Sequence, residues 1–338
     1  MLAAHKLDSP ERLRAYLAQS RQVQEVRPDG QGGWHWQSLA ADDAQPFEPP
    51  SRPPLTSAKP FFFAEREALF RFDGGTFYGC LPEIEPQVLF GVTACDLRAL
   101  AYQDQFFAQD EHYQRRRRQT LLIGYDCGHS CAGGFCTAVG GSPLVDQAQA
   151  DLILRRNGQG SWALLVASQA GAEAIAALAL PQAPENWAAE RSADLMQVQA
   201  EQGAQTEITD GIAAIQAASV EPERWEALGL HCLGCSGCTS VCPTCSCYAP
   251  LEQREEGGTV RHERVWDSCL YTGFQKEASG HNPAATPGQR VQRFWYHKFG
   301  TAFAERFGAY GCVGCGRCDA VCPGGIGAHG VMRRISRP

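Results

Sequence analysis

Residues 232–243 read Cys-Leu-Gly-Cys-Ser-Gly-Cys-Thr-Ser-Val-Cys-Pro, and residues 312–323 read Cys-Val-Gly-Cys-Gly-Arg-Cys-Asp-Ala-Val-Cys-Pro. Both stretches follow the spacing C-x2-C-x2-C-x3-C-P, which is the ligand pattern of a cubane iron–sulfur cluster. The short steps between the first three cysteines let one tight loop surround three corners of a cube, and the intervening glycines permit the turns that this requires. The two stretches therefore predict two 4Fe-4S clusters.

The fourth cysteine of each stretch is expected to cross over to the other cluster. In proteins with two clusters of this type, the last cysteine of one motif binds the cluster held by the other motif. The predicted ligands are Cys232, Cys235, Cys238 and Cys322 for cluster 1, and Cys312, Cys315, Cys318 and Cys242 for cluster 2.

Zinc and disulfide bonds are the alternatives for these cysteines. Zinc sites usually present cysteines as separated C-x2-C pairs, unlike three consecutive steps followed by Cys-Pro. Disulfide frameworks are typical of secreted chains, and residues 1–8 lack the apolar core of a signal peptide. We therefore expect the 16 cysteines to lie in a reducing, cytoplasmic compartment, with thiolates committed to metal.

Composition sets wider limits on the protein. A chain of 338 residues can bury a large core and form two domains. The net charge of −7 argues against a nucleic-acid-binding surface, and no apolar run approaches the roughly 18 residues that a membrane span needs. We expect a globular protein that neither binds nucleic acid nor crosses a membrane.

The N-terminal half has the pattern of an α/β domain. Continuous apolar runs at 87–92 and 120–125 are typical of strands buried on both faces of a parallel sheet. Helical spacing at 96–107 completes a strand–helix–strand unit. Further strand-like runs lie at 68–72 and 162–166.

Helical patterns dominate the rest of the chain and cover 172–180, 187–202, 209–218, 222–228 and 291–307, after a short helix within 1–20. The long segment between the two cysteine motifs favours an all-helical two-cluster domain over the small βαβ ferredoxin. The predicted fold is α+β. An α/β domain with a partly parallel sheet is expected over 1–220, and an all-helical two-cluster ferredoxin domain over 221–338.

Four more cysteines follow the two central strands. Cys95 comes directly after the first of these strands, Cys127 directly after the second, and Cys131 and Cys136 lie in the glycine-rich loop beyond it. If the strands are parallel neighbours, their carboxyl ends lie together, where open α/β sheets bind ligands. The four thiols would then hold a third 4Fe-4S cluster. The alternatives are a zinc ion or unligated, buried thiols.

The remaining cysteines have no obvious cluster. Cys80 lacks an evident partner and is assigned a structural role. Cys245, Cys247 and Cys269 exceed the needs of two clusters, and we expect them to pack or hydrogen-bond near one and so tune its potential. Ligation of another group is the alternative for these three. His129 and His231 are expected to donate hydrogen bonds near clusters rather than to bind metal.

A catalytic centre is not indicated. No G-x-G-x-x-G fingerprint follows a predicted strand, so a flavin or nicotinamide site is not expected within this chain. Three hypotheses remain open: an electron-relay subunit, an enzyme whose centre lies at the extra thiols, and a zinc-stabilised binding module.

Several segments beyond the motifs carry a family resemblance. They are Pro-Thr-Cys-Ser-Cys at 243–247, Trp-Asp-Ser-Cys at 266–269, Gly-His-Asn-Pro at 280–283, His-Lys-Phe at 297–299 and Phe-Gly-Val-Thr-Ala-Cys-Asp at 90–96. With the two motifs, they resemble the beta (iron–sulfur) subunit of soluble sulfhydrogenases, which are multi-subunit NiFe hydrogenases. The same family includes the electron-transfer subunit of anaerobic sulfite reductase.

The resemblance spans roughly residues 60–330 and implies a role. It implies a cytoplasmic electron-transfer subunit with a helical ferredoxin domain, working in a hetero-oligomer. Its expected partners are a flavin subunit that uses NAD(P)H and either a NiFe hydrogenase module or a sulfite reductase module.

Overall fold

A computed structural model describes residues 3–40, 42–184 and 186–336. The first two residues of the predicted domain 1–220, which also begin the segment tested for a signal peptide, lie outside the described residues. The last two residues of the predicted domain 221–338 do so as well.

The strands are β1 (Ala3–Leu7), β2 (Gln22–Pro28), β3 (Trp34–Ser38), β4 (Arg66–Asp73), β5 (Thr76–Gly79), β6 (Gln87–Thr93), β7 (Thr120–Tyr125), β8 (Leu152–Arg156), β9 (Trp162–Val166), β10 (Tyr248–Arg254) and β11 (Val260–Trp266). The helices are α1 (Pro10–Leu17), α2 (Ala94–Phe106), α3 (Glu111–Arg118), α4 (Gln169–Ala174), α5 (Trp187–Gln202), α6 (Thr206–Gln216), α7 (Pro222–Gly229), α8 (Gly237–Val241), α9 (Pro287–Phe299), α10 (Thr301–Phe307), α11 (Arg317–Val321) and α12 (Ala328–Ile335).

A seven-stranded mixed sheet organises the N-terminal part. Its order is β1-β9-β8-β7-β6-β2-β3, and the four neighbours β8, β7, β6 and β2 run parallel. β7 is buried along its whole length, as expected for a strand covered on both faces. The prediction that 87–92 and 120–125 are adjacent parallel strands is confirmed, with Thr93 opposite Tyr125 at their carboxyl ends.

A second, four-stranded antiparallel sheet corrects one expectation. Its order is β10-β11-β4-β5, so the run at 68–72 joins this sheet rather than the parallel one. The region 221–338 is helical around the cysteine motifs, as predicted, but it is not all-helical, because β10 and β11 form a hairpin in it. The hairpin is polar and Pro250 lies in its edge strand, where proline is tolerated, so the local pattern did not indicate strands.

Several helices match their predicted bounds and others do not. α5 covers 187–202 as predicted, whereas α4 is shorter than the predicted 172–180. The predicted helix 291–307 is divided into α9 and α10, because Gly300 adopts an extended conformation with ψ 150°. No helix in the described part of the chain is both long enough and apolar enough to cross a membrane.

The C-terminal core extends across the predicted boundary between 1–220 and 221–338. α6 packs against α12 and α9. Phe135 and Val139, from the loop after β7, lie in the same apolar cluster as Trp295 and Phe299 of α9. The fold is therefore α+β with a partly parallel sheet, and the two parts share a packed core.

Candidate iron–sulfur sites

The first site lies between the two cysteine motifs. One cavity is lined by all four predicted ligands of cluster 1, Cys232, Cys235, Cys238 and Cys322, together with apolar side chains that include Leu270 and Phe294. The backbone N–H of Ile326 donates a hydrogen bond to Cys322 Sγ at 3.4 Å. Such N–H donors favour the thiolate form that a metal requires.

The second site adjoins the first. Its cavity is lined by the predicted ligands of cluster 2, Cys242, Cys312, Cys315 and Cys318, and also by Cys238 of the first site. The Gly314 N–H donates to Cys312 Sγ at 3.4 Å. The structure thus brings together the two crossed ligand sets.

The crossing follows from a short helix inside each motif. α8 and α11 begin next to the third cysteine of their motifs and end directly before the fourth, and the two helices pack against each other. Each helix therefore carries a predicted ligand of one cluster near its start and is followed directly by a predicted ligand of the other cluster. Left-handed residues, Ser236 at φ 61° and Gly316 at φ 72°, turn the chain into these helices.

Burial disfavours the thiolate form of some of these cysteines but not of all. Burial, reinforced by neighbouring thiolates, raises the pKa of Cys238 to about 12 and that of Cys312 to about 12, whereas a hydrogen bond from Cys245 lowers the pKa of Cys242. The buried cysteines with a raised pKa would bind as thiolates only beside a compensating positive charge, which bound iron would supply. The donor set and its burial fit a 4Fe-4S cluster at each site.

The N-terminal thiols also line a single cavity. Cys95, Cys127, Cys131 and Cys136 surround a cavity of about 570 Å³ at the carboxyl ends of β6 and β7. Cys95 Sγ lies 3.3 Å from Thr93 Oγ1, and Gln202 at the end of α5 donates to Cys136 Sγ at 3.2 Å. Burial raises the pKa of Cys131 to about 11. These thiols fit a third metal cluster by the same argument as at the other two sites.

The loop that carries Cys131 and Cys136 packs directly on the second motif. Phe135 N–H donates to the carbonyl oxygen of Gly314 at 2.8 Å. A Cβ on Gly314 would lie 2.6 Å from Cys136 Cα, and a Cβ on Gly316 would lie 2.3 Å from the carbonyl oxygen of Gly133. The second motif therefore needs glycine for docking as well as for its own turns. As a result Cys315 lines the third cavity too.

A buried ion pair joins the same two sites. Arg317 donates two hydrogen bonds of 2.7 Å to Asp96 and one of 2.7 Å to the carbonyl oxygen of Pro54. Burial opposes the charge of Arg317, but the carboxylate of Asp96 raises the pKa of the guanidinium overall. Asp96 adjoins Cys95, and Arg317 adjoins Cys318, so the pair fixes the third site against the second. No local pattern in the sequence indicated it.

The remaining thiols fall into two groups. Cys245 donates a hydrogen bond to the predicted ligand Cys242. Cys247 and Cys269 instead hydrogen-bond to each other. Cys80 lies apart, with Sγ 3.9 Å from the carbonyl oxygen of Tyr78.

The two histidines expected to donate hydrogen bonds near clusters lie at the edges of cavities. His129 lies at the third cavity and pairs with Glu201, Nδ1 to Oε1 at 3.3 Å, and His231 borders the first cavity. Among residues 3–40, 42–184 and 186–336, no three His, Cys, Asp or Glu side chains are placed to hold a single metal ion.

Sequence comparisons agree with this geometry. Residues 231–326 match the family described as the 4Fe-4S dicluster domain. Over 288 residues, the chain is 27% identical to the protein named Sulfhydrogenase 2 subunit beta from Pyrococcus furiosus, with 79% of each chain covered. No solved structure matches the chain.

Proposed function

We propose that this chain is the electron-relay subunit of a cytoplasmic hetero-oligomeric complex. The premise is that the chain is a homologue of the sulfhydrogenase beta subunit and carries a 4Fe-4S dicluster domain. Its proposed partners are a flavin subunit that binds NAD(P)H and a NiFe hydrogenase module. The chain itself is proposed to contribute no catalytic centre.

The observation that carries this proposal is the continuity of the three thiol-lined cavities. Cys238 lines both the first and the second cavity. Cys315 lines both the second and the third. When bound, 4Fe-4S clusters supply one-electron redox chemistry. The residues of this chain would therefore hold a linear series in which the second site is the middle member.

The protein residues do three things in this arrangement. The crossed cysteines fix the first two sites to each other, and the Arg317–Asp96 pair and the Phe135–Gly314 hydrogen bond fix the third site to the second. Buried apolar residues, among them Phe294 and Trp295, line both of the first two sites.

The first site also reaches the protein surface. Cys235 is exposed, and the neighbouring Leu233 is 73% exposed while Leu230 is 89% exposed. Large apolar side chains beside a redox site are typical of a face that another protein covers. We assign this end of the series to one of the two partner subunits.

The test is purification of the complex through a tag on this chain, under anaerobic conditions, from its own host. The expected complex contains flavin and nickel and reduces NAD(P)⁺ with hydrogen. Cys315→Ala should abolish that reduction while the complex stays assembled, and Cys80→Ala should leave it unchanged. Recovery of a sulfite-reducing module instead would assign the chain to the alternative complex. Recovery of the chain alone, with zinc, would contradict the relay.

A further inference from the structure

Two cysteines outside the three sites meet at the base of the β10–β11 hairpin. Cys247 immediately precedes β10, and Cys269 is the third residue after the end of β11. The antiparallel pairing continues past Tyr248 and Trp266, because Asp267 N–H donates to the carbonyl oxygen of Cys247 at 3.0 Å. The Cys269 thiol donates a hydrogen bond to Cys247 Sγ. Both thiols therefore lie side by side at the base of the hairpin, with Cys247 before its first strand and Cys269 after its second.

The surroundings of this pair carry buried positive charge. Lys59 and Lys298 are each 3% exposed. The charge of Lys59 interacts with the thiols of Cys242 and Cys247. Lys59 Nζ lies 3.7 Å from the centre of the Trp266 ring. Arg293 donates to the backbone carbonyl oxygen of Cys269. Cations in such positions stabilise a thiolate, which is the reactive form of cysteine.

The two thiols differ in pKa and in exposure to solvent. The hydrogen bond from Cys269, aided by the charge of Lys298 and opposed by burial, lowers the pKa of Cys247 to about 7. The same hydrogen bond and burial raise the pKa of Cys269. Cys247 is also the more accessible of the two, since Cys269 is buried. This asymmetry is the one that a nucleophilic thiol and a resolving thiol require.

We propose that Cys247 and Cys269 form a redox-active dithiol that reacts with low-molecular-weight disulfides. The Cys247 thiolate attacks one sulfur of the small disulfide, whose S–S bond breaks and releases one thiolate that takes a proton. Cys269 then loses its proton, attacks Cys247 Sγ and displaces the second small thiol. Two protein thiols become one disulfide and the small disulfide becomes two thiols, so two electrons and two protons are transferred.

The other free thiols do not offer this chemistry. Cys245 donates its hydrogen bond to Cys242, a predicted ligand of cluster 2, and Cys80 lies alone near Tyr78. Because the charge of Lys59 interacts with both Cys242 and Cys247, oxidation of Cys247 would alter the charge balance beside the second site. That consequence rests on the proposed function, whereas the thiol chemistry does not.

The experiment equilibrates the full anaerobically purified chain with graded mixtures of reduced and oxidised glutathione. Remaining thiols are alkylated, and the peptides are identified by mass spectrometry. We expect a disulfide between Cys247 and Cys269, seen as a loss of two hydrogens, with the iron content unchanged. Cys269→Ser should leave glutathione trapped on Cys247, because the resolving thiol is missing. Cys80→Ser should behave as the unmodified chain does.

Three results would overturn the proposal. The first is absence of the Cys247–Cys269 disulfide in the most oxidising mixture. The second is trapping of glutathione at Cys245 or Cys80, rather than at Cys247, in the Cys269→Ser variant. The third is a disulfide that forms only as iron is lost. The measurement on the unmodified chain decides the first and third results, so it stands even if a variant does not fold.

Discussion

The two C-terminal sites and the N-terminal site each gather four thiols, but they do so in different ways. In the C-terminal pair, twelve-residue motifs with their own short helices place every predicted ligand, and the cavities are narrow and largely apolar. In the N-terminal site, two strand ends and one loop supply the predicted ligands around a cavity of about 570 Å³. The first arrangement depends on local spacing, whereas the second depends on the tertiary fold and on docking against the second motif.

This difference predicts which site is the more easily lost. Removal of a motif cysteine should remove one C-terminal cluster whatever the rest of the fold does. A change in the parallel sheet, in the 131–136 loop or in its contacts should affect the third site alone.

Cys242→Ala should have the largest effect. Although Cys242 belongs to the first motif, it lines the second cavity, so the variant should lose cluster 2, about four iron atoms, and electron transfer through the chain. Iron analysis and electron paramagnetic resonance of the reduced protein measure this. Cys245→Ala, which removes only a hydrogen-bond donor to Cys242, should retain its iron. Loss of cluster 1 alone in Cys242→Ala would disprove the crossed ligand sets.

Cys127→Ala should remove the third cluster and leave the other two. Cys127 lines only the N-terminal cavity among the three, so about four iron atoms should be lost while the spectra of clusters 1 and 2 persist. Cys80→Ala is the matched control and should lose none. Equal loss from all three sites would show that the N-terminal site is not separable from the C-terminal pair.

Asp96→Asn should destabilise the junction between the two regions. The variant leaves the buried guanidinium of Arg317 without its carboxylate partner, because the side chains of Arg317 and Asp96 are only 2% and 1% exposed. Breaking a buried pair costs about 3–5 kcal/mol, measurable as a fall in the free energy of unfolding. Asp104→Asn is the control, because it breaks the more exposed pair with Arg117, in which the Asp104 and Arg117 side chains are 33% and 26% exposed. The expected loss in the free energy of unfolding there is about 1 kcal/mol or less. Similar losses in both variants would remove the special role of the buried pair.

Gly314→Ala should give the smallest of these effects and the most selective one. Gly314 and Gly234 occupy equivalent motif positions at φ 69° and 61°, and alanine at either costs roughly 1–2 kcal/mol for the left-handed backbone. Only at Gly314 does the new Cβ meet the third-site loop, at 2.6 Å, which adds about 1–3 kcal/mol. Iron loss confined to the third site is expected in Gly314→Ala and not in Gly234→Ala. If the two variants lose iron in the same way, Gly314 has no special role in docking the third-site loop.

The sequence predicted those features that local patterns encode. The repeated motif indicated the crossed ligand sets, and the two apolar runs indicated adjacent parallel strands, from which the meeting of Cys95 with Cys127 follows. The β10–β11 hairpin escaped prediction because its strands are polar and its next neighbour, β4, is far away in the chain. Arg317–Asp96 escaped for the same reason, since only the folded chain brings these residues together. The thiol pair at Cys247 and Cys269 likewise depends on the hairpin closing.

Metal content of the anaerobically purified chain distinguishes three iron–sulfur clusters from two clusters and from zinc. Iron and zinc are quantified per chain, and Mössbauer spectroscopy assigns the iron to cluster types. Three 4Fe-4S sites predict about twelve iron atoms and no stoichiometric zinc. About eight iron atoms would leave the C-terminal pair and refute the N-terminal cluster. One or two zinc ions with little iron would contradict the iron–sulfur account as a whole.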